Sequence, residues 1–549
     1  MPVVWIADLK KKLKGDVVFD KETLEEYSHD ASIFELKPKV VVFPKDVRDV
    51  EKLIEFVNEN KKKFPAMSLT ARAGGTDMTG GCLTESIVIS FTKYFNHIKS
   101  IDGKTGIVEP GVYFRDFEKQ TLKKGLIFPT YPASKSICAL GGMIANNSGG
   151  EKSIHYGKTQ DHVLSLKVVL ADGKEYEFKR INKIELERKM RKRDFEGQIY
   201  WKMYKLIKNN YDFIQSQKPK VTKNSAGYYL WDVWDRRKGE FDFTKLFVGS
   251  QGTLGIITEA ELELVKKKKH SRLIVCSFKT TKDLAEFVNI VLPFKPESLE
   301  TFDDNTLKLS ARFMPEIAQK TGRGVFSLLF SFWREALMVL RYGFPKFVVL
   351  VEIAEDREDV LERRIQELHE EFKRRRVPHI IMKDEKEGEK YWTMRRESFN
   401  LLRHKVKGKR ATPFIDDFVV KPEDLPKFLP ELDKILEEHE IKPTLTGHAG
   451  SGNFHIIPLM DLEKKEERDK IPIVSEKVYT LLQKYHGSIT AEHNDGLIRT
   501  PYLDKMFDKK MIKLFEEVKK IFDPLNIFNP GKKVHGDIKY AMSHVKKSS

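Results

Sequence analysis

Cysteine is scarce, with three residues (Cys82, Cys138 and Cys276) in a chain of 549. They lie far apart and form no CxxC pair. That spacing argues against a disulfide framework, a cysteine-built structural zinc site and an iron–sulfur cluster within the chain. Long apolar runs are also missing. No uncharged window approaches the roughly 20 residues needed to span a bilayer. The opening stretch MPVVWIADLKKKLKGD has no apolar core of the signal-peptide kind. These absences predict a reduced, cytoplasmic protein.

Acidic residues do not balance basic ones: 81 against 98, for a net charge of +17. Much of the excess sits in runs such as KKKLK from Lys10, VKKKKH from Val265 and FKRRR from Phe372. None of these runs is interleaved with stacking aromatics in a nucleic-acid module, so nucleic acid is not an expected partner. The bland reading is a solvated, Lys- and Glu-rich surface. The alternative is attraction to an anionic membrane surface.

A 40% hydrophobic content supports packed cores, and the length calls for two or more domains. KVVVFP from Lys39 followed by Val50, Leu53, Ile54 and Val57 at helical spacing predicts a βα unit. SLKVVLADGKEYEF from Ser165 predicts a hairpin across Asp172 and Gly173. After Arg272 the pattern alternates: strand LIVCSF, helix KDLAEFVNIVL, strand FVVLVEI, helix REDVLERRIQELHEEF. It then gives a strand-like TPFIDDFVV and a helix over LPKFLPELDKILEEH. That order predicts an antiparallel sheet with helices on one face. GVFSLLFSFWREALMVLRYGFPKF from Gly324 stands apart and reads either as a buried helix or as an interfacial helix at a membrane surface.

Two groups of residues carry chemistry. TGHAGSGNFHI from Thr446 sets His448 and His455 on one glycine-rich segment, and AEHNDG from Ala491 sets Glu492 beside His493. Two imidazoles and a carboxylate suit a divalent metal with an open position, and the remaining histidine can act as a general base. Glu492 and His493 can both face one site only if their segment is a turn. The second group is three glycine-rich loops: ARAGGTDMTGG from Ala71, PASKSICALGGMIANNSGG from Pro132 and FVGSQGTLGIITEAEL from Phe247. Glycines admit backbone amides close to an anion. The spacing matches neither GxGxxG nor GxxxxGK[ST]. Three such loops, each joined to a strand, suggest a backbone lining for an extended dinucleotide.

In this order, RAGGTDMTGG, VEPGV, PASKSICALGGMIANNSGG, YGKTQDHVLSLKVVLADG and LFVGSQGTLGIITEAEL resemble the FAD-binding domain of the vanillyl-alcohol-oxidase flavoprotein superfamily. With TGHAGSGNFH, AEH and FDPLNIFNPGKK, the chain is similar to that superfamily's D-lactate, glycolate and D-2-hydroxyglutarate dehydrogenase branch, from about Ala31 to Lys533. The resemblance implies an α+β chain: an N-terminal segment (1–34), a PCMH-type FAD-binding domain (35–268), a ferredoxin-like cap with the metal site (269–500), and a C-terminal segment (501–549) returning to the FAD domain.

It also implies cofactors and roles. Gly74, Gly75, Thr76 and Asp77 would cradle the FAD pyrophosphate. Gly141, Gly142, Asn146, Gly149, Gly252 and Ile257 would line the rest, and Asn529 would reach the isoalloxazine. The first loop has no histidine, so the flavin is expected to be non-covalent. His448, His455 and Glu492 would hold a divalent metal, Zn²⁺ foremost, with Mn²⁺ or Fe²⁺ also suited. His493 would be the base and Arg395 the carboxylate grip, with Arg396 its rival.

The implied activity is oxidation of a D-2-hydroxy acid to the 2-oxo acid. Electrons would pass on to a quinone, an electron-transfer flavoprotein or a separate iron–sulfur protein. A homodimer and peripheral membrane contact through residues 324–347 are compatible with this picture. Where the 2-hydroxyglutarate branch has a lysine and an asparagine, this chain has Ile415 and Ile457, which points to a monocarboxylate. Asp416 and Asp417 are expected to repel extra negative charge, and Asn494 and Asp495 to alter the rim beside the base. Two alternatives are an alkylglycerone-phosphate-synthase-like flavoenzyme and a non-enzymatic basic binding protein.

Overall fold

The computed structural model describes residues 5–312, 333–405 and 408–547. Its first layer is a four-stranded sheet in the order Asp16–Val18, Val40–Phe43, Ile87–Ser90, Leu69–Arg72. The last three strands run parallel. The helix Val47–Asn60 crosses over this sheet, burying Val50, Leu53, Ile54 and Val57 against Val40, Val42, Ile87 and Ile89. Asp46 caps the helix by accepting from the Asp49 amide, which satisfies one of the amides a helix start leaves unpaired.

Beside it lies a five-stranded antiparallel sheet: Ile98–Asp102, Thr105–Val108, Ile256–Glu263, Val163–Val169 and Glu175–Lys179. The hairpin through Asp172 and Gly173 forms as expected, with Gly173 at φ +77°. The first glycine-rich loop follows Leu69–Arg72 and the third leads into Ile256–Glu263, so strands of these two sheets set their positions.

The second body is a larger antiparallel sheet. In order its strands are His379–Ile381, His270–Phe278, Phe347–Glu355, Ser298–Asp303, Pro443–His448 and Asn453–Met460. The short pieces Arg410–Ala411 and Phe418–Val419 pair with the last of these.

Both faces of this sheet are covered, not one. Ile274, Cys276, Val349 and Val351 belong to a core shared with the helices Thr281–Val291 and Glu358–Arg374. The alternate residues Leu273, Val275, Val348 and Leu350 pack with Tyr391, Trp392 and Met338 from helices on the other side. From Phe347 to Val351 every residue is apolar and buried, as expected for a strand covered on both faces.

TPFIDDFVV is not a strand. Only Phe418–Val419 pairs, and Pro413–Asp417 forms an irregular loop that carries Asp416 and Asp417 under the site. Residues 313–332, and with them the first part of the 324–347 segment, lie outside the described residues. The described helix Trp333–Tyr342 turns Arg334 and Glu335 inward. There Arg334 reaches the Ile381 carbonyl and Glu335 pairs with Lys390. The other face leaves Trp333 (55%), Leu337 (55%), Leu340 (82%) and Phe344 (54%) exposed. Among the described residues, no helix is long and apolar enough to cross a membrane.

The C-terminal segment returns to the first body. Ile527 and Phe528 join the core of the four-stranded sheet, and Phe528 lies parallel to Leu69. Asp523 makes the turn before them by accepting from the amides of Ile527 and Phe528 at 2.9 and 2.8 Å.

Candidate active site between the two bodies

A cavity of about 370 Å³ runs between the two bodies. On one side it is lined by Gly74, Gly75, Thr76, Asp77, Gly141, Gly142, Asn146, Gly149, Gly252 and Ile257. On the other it meets Arg395, Arg396, His448, His455, Glu492 and His493. Two groups of residues that are remote in sequence thus share one wall-to-wall space.

The glycine side fits an anionic dinucleotide. Among the described residues, no protein acceptor meets the amides of Gly74, Gly75, Thr76 or Asp77. Gly75 at φ +65° adopts the left-handed backbone that glycine tolerates best. The Asp77 carboxylate does not confront a phosphate as an unpaired charge. It accepts from the Thr79 and Gly81 amides at 3.0 and 2.7 Å and from Asn146 Nδ2 at 2.7 Å, and so shapes the loop.

Asn529 is not on this wall. It is fully buried behind it, donating to the carbonyls of Gly81 and Gln251 at 2.8 and 2.7 Å and accepting from Thr70. Its role is to tie the first and third glycine loops together. The expectation that it reaches the isoalloxazine is corrected.

The other side is built from three pieces of chain. His448 ends the strand Pro443–His448, and His455 lies on its hairpin partner Asn453–Met460. His448 Nδ1 donates to Glu300 Oε1 at 2.8 Å, and His455 Nδ1 donates to the Asp416 carbonyl at 2.9 Å. These outer bonds turn both Nε2 atoms inward, as partners of metal-bound histidines do. His448 Nε2 lies 2.8 Å, and His455 Nε2 3.5 Å, from Glu492 Oε1. Two imidazole nitrogens and a carboxylate oxygen aimed at one another call for a positive charge between them. The donor set fits a divalent cation.

The donor atoms of Asp417, His455, Glu492 and His493 lie within 4.8 Å of one another, a group that leaves out His448. Asp417 in it does not have a ligand's freedom. Its Oδ2 accepts from Thr490 Oγ1 and from the amides of Ala491, Glu492 and His493, all within 2.7–2.8 Å. Its Oδ1 accepts from Asn453 at 3.1 Å. One buried carboxylate therefore winds residues 490–493 into a turn, which is how adjacent Glu492 and His493 both face the cavity.

His493 Nδ1 is 2.7 Å from Asp416 Oδ2, and its ring stacks on His455 at 4.8 Å between centroids. The Asp416 partner leaves Nε2 for the cavity. Burial disfavours the charged imidazolium, but the carboxylates of Asp417 and Asp416 outweigh it and lift the His493 pKa to about 9. Burial pushes the Asp416 carboxyl up, while Arg499 and His493 pull it well below its usual range. Asp416 and Asp417 are both fully buried; Asp416 pairs with Arg499 and His493, and Asp417 is held by amides and a hydroxyl.

Other expectations sort in the same way. Ile457 faces the cavity with Thr444 and Thr446. Ile415 lies in the hydrophobic core and off the cavity wall, so of the two isoleucines only Ile457 faces the cavity.

Asn494 and Asp495 are not rim residues. Both are fully buried. Asn494, at φ +72°, donates to the Gly249 carbonyl at 2.9 Å, and Asp495 pairs with Lys533 at 2.8 Å. They dock the C-terminal segment instead.

Arg395 pairs with Glu300, the carboxylate that orients His448, and Arg396 grips Glu151 through both Nε and Nη2. Burial opposes the charge on Glu151, yet Arg396 holds its pKa at about 2. Glu300 was not singled out by the sequence, since a glutamate in a strand SLETFD has no local mark of function.

A flavoprotein with an FAD-binding domain and an FAD-linked-oxidase cap is the class that fold and cavity define. Residues 38–179 match the FAD binding domain, and residues 267–533 match the C-terminal domain of FAD linked oxidases. The two matches together show that the chain belongs to the FAD-linked oxidases.

It is 28% identical over 516 residues to D-2-hydroxyglutarate dehydrogenase of Escherichia coli (strain K12), covering 92% of this chain and 49% of that protein. It is 26% identical over 516 residues to glycolate oxidase subunit GlcD of Bacillus subtilis (strain 168), covering 92% and 91%. Against D-lactate dehydrogenase of Archaeoglobus fulgidus it is 25% identical over 501 residues, covering 90% and 91%. The chain spans about half the length of the D-2-hydroxyglutarate dehydrogenases of E. coli, Pseudomonas putida and Haemophilus influenzae that it matches.

Solved structures share the fold at lower identity. They include p-cresol methylhydroxylase with substrate bound (TM-score 0.68, 15% identity, covering 97% of this chain and 96% of that one). Alkyldihydroxyacetonephosphate synthase gives TM-score 0.64 at 15% identity, covering 96% and 84%.

Proposed function

We propose that the chain oxidises a D-2-hydroxy monocarboxylic acid of lactate or glycolate type to the 2-oxo acid, with non-covalent FAD. The observation that carries this reading is the convergence of His448, His455, Glu492 and His493 on the cavity lined by the three glycine loops. When bound, FAD supplies the electron-pair acceptor, and a divalent cation, Zn²⁺ foremost, on His448, His455 and Glu492 supplies a Lewis acid that acidifies the substrate hydroxyl.

His493 Nε2 takes the hydroxyl proton, with Asp416 holding its ring in place. The hydrogen on C2 leaves with its electron pair, so carbon is oxidised by two electrons as the proton goes to His493. Arg395, lining the cavity beside His448, holds the substrate carboxylate. Arg396 is the rival candidate: it too lines the cavity, and each arginine already pairs with a carboxylate, Arg395 with Glu300 and Arg396 with Glu151. Ile457 supplies an apolar wall for the substituent on C2.

Anaerobic addition of D-lactate, glycolate, bulkier D-2-hydroxy acids and D-2-hydroxyglutarate, with flavin bleaching as the readout, tests this reading. Bleaching by monocarboxylates in preference to the dicarboxylate is expected, and no bleaching by any of them would sink the proposal. Ile457→Asn should move kcat/KM toward D-2-hydroxyglutarate by about tenfold, because a buried polar partner discriminates more strongly than an apolar one.

The electron acceptor proposed is a quinone or a separate protein, since Cys82, Cys138 and Cys276 build no cluster motif. The exposed Trp333–Phe344 face is proposed to touch an anionic membrane surface. Failure of the protein to sediment with phosphatidylglycerol vesicles would count against that contact.

A further inference from the structure

The metal-type ligand Glu492 has two oxygens with different surroundings. Oε1 faces His448 and His455. Oε2 faces the flavin-binding body, where Lys223 Nζ donates to it at 3.0 Å and both side chains are buried. Gly149, on the second glycine loop, leaves the space this oxygen occupies. A Cβ there would come within 2.6 Å of Glu492 Oε2, 2.8 Å of Ser153 Oγ and 3.5 Å of Lys223 Nζ.

The rest of residues 222–227 runs along the Glu492 turn. Ser225 N and Oγ donate to the carbonyls of Thr490 and Ala491 at 3.1 and 2.9 Å. Gly227 N donates to Asp495 at 2.9 Å, and Ser488 Oγ donates to Asn224 Oδ1 at 2.8 Å. Lys158 Nζ adds a bond to the Ala491 carbonyl at 2.5 Å. Lys223 is therefore held in register with Glu492 from the opposite body.

We propose that Lys223 is a positioning residue that restricts Glu492 to coordination through one oxygen, and so keeps a position on the metal open for the substrate. This rests on the metal-site reading given above. A carboxylate can bind a cation through one oxygen or through both. Outer hydrogen bonds to a ligand carboxylate set its orientation, and losing such a partner typically costs 10- to 100-fold in metal affinity or activity; Lys223 differs from a neutral partner in that its own positive charge opposes the cation. An ammonium on Oε2 occupies the lone pair that a second metal bond would use. Without it, Oε2 is free to turn onto the metal, which binds the cation more tightly and fills the position the hydroxy acid needs.

The test compares wild type, Lys223→Met and Lys223→Arg, all loaded with FAD. Zn²⁺ affinity is measured by competition with a chromophoric chelator, and KM and kcat are measured on the monocarboxylate that bleaches the flavin best. Lys223→Met should bind Zn²⁺ about fivefold or more tightly while KM rises about tenfold, and Lys223→Arg should restore both toward wild type. The thermal midpoint of Lys223→Met should also rise further on adding Zn²⁺ than that of wild type, because tighter binding to the folded state adds stability.

A merely structural lysine gives the opposite pattern, with weaker Zn²⁺ binding and an unchanged KM, and that result overturns the proposal. If Lys223→Met does not fold without metal, purification in Zn²⁺ followed by chelator competition still reads the affinity. A wild-type protein that takes up no Zn²⁺, Mn²⁺ or Fe²⁺ refutes the metal site itself. An altered affinity without the KM change refutes the role of Lys223 alone.

Discussion

His493→Ala is expected to slow flavin reduction by bound substrate by about 10²- to 10⁴-fold, the usual worth of a positioned general base. FAD uptake should survive, because His493 makes no hydrogen bond to the glycine loops. An alanine protein that bleaches at the wild-type rate refutes the assignment.

The pH dependence follows from the charges around the ring. The base acts only when neutral, so kcat/KM should rise as pH rises through the His493 pKa. Burial lowers that pKa, but Asp417 and Asp416 raise it to about 9 before a cation contributes its opposing charge. Replacing Asp416 by Asn removes one of the raising charges and weakens the bond that orients Nδ1. The acid limb should then move to lower pH and the plateau should fall. A limb that stays in place in Asp416→Asn would mean that another group controls it.

Asp417→Ala is expected to be the most damaging change outside the set of reacting groups. It removes the acceptor of one hydroxyl and three amides at once. Hydrogen bonds to a charged group contribute about 1.5–3 kcal/mol each, and buried amides left without partners add their desolvation cost. Because water or altered backbone can recover part of this, a net loss of about 3–5 kcal/mol is expected. The loss should be local first. The 490–493 turn relaxes, Glu492 and His493 cease to face the same cavity, and metal affinity falls before the sheets unfold. Denaturant titration together with metal stoichiometry would show this, and unchanged values in both would overturn the role given to Asp417.

Much of the site was legible because its signals are local. Glycine clusters at strand ends, a histidine pair seven residues apart and a glutamate–histidine dipeptide can be read without knowing the fold. The four cap-side ligand and base residues and ten of the eleven cofactor-binding residues expected from sequence do line one cavity. The glycine-loop strands and the hairpin at Asp172 were legible for a similar reason, since their periodicity and turn residues agree.

What escaped the sequence depends on partners far along the chain. Asp417 receives amides more than seventy residues away, Glu300 reaches His448 across two strands, and Lys223 meets Glu492 from the other body. No local pattern distinguishes such acids and bases from surface charge. TPFIDDFVV misled because Phe414, Ile415, Phe418, Val419 and Val420 are residue types that favour strands, whereas its two aspartates are drawn inward by amides and Arg499. Asn529 misled because its position beside a glycine loop does not reveal which side of the loop it occupies.

The Lys533–Asp495 pair has a consequence for local unfolding. The segment carrying His493 is pinned by a lysine of the returning segment, and Lys533 also reaches Asn494 Oδ1 and the Ser225 carbonyl, at 2.8 and 2.9 Å. Proteins open in parts, at a lower cost than complete unfolding. An opening that lifts the returning segment away would free the His493 turn while both sheets stay folded. The reaction centre should therefore come apart in milder denaturant than the sheets do.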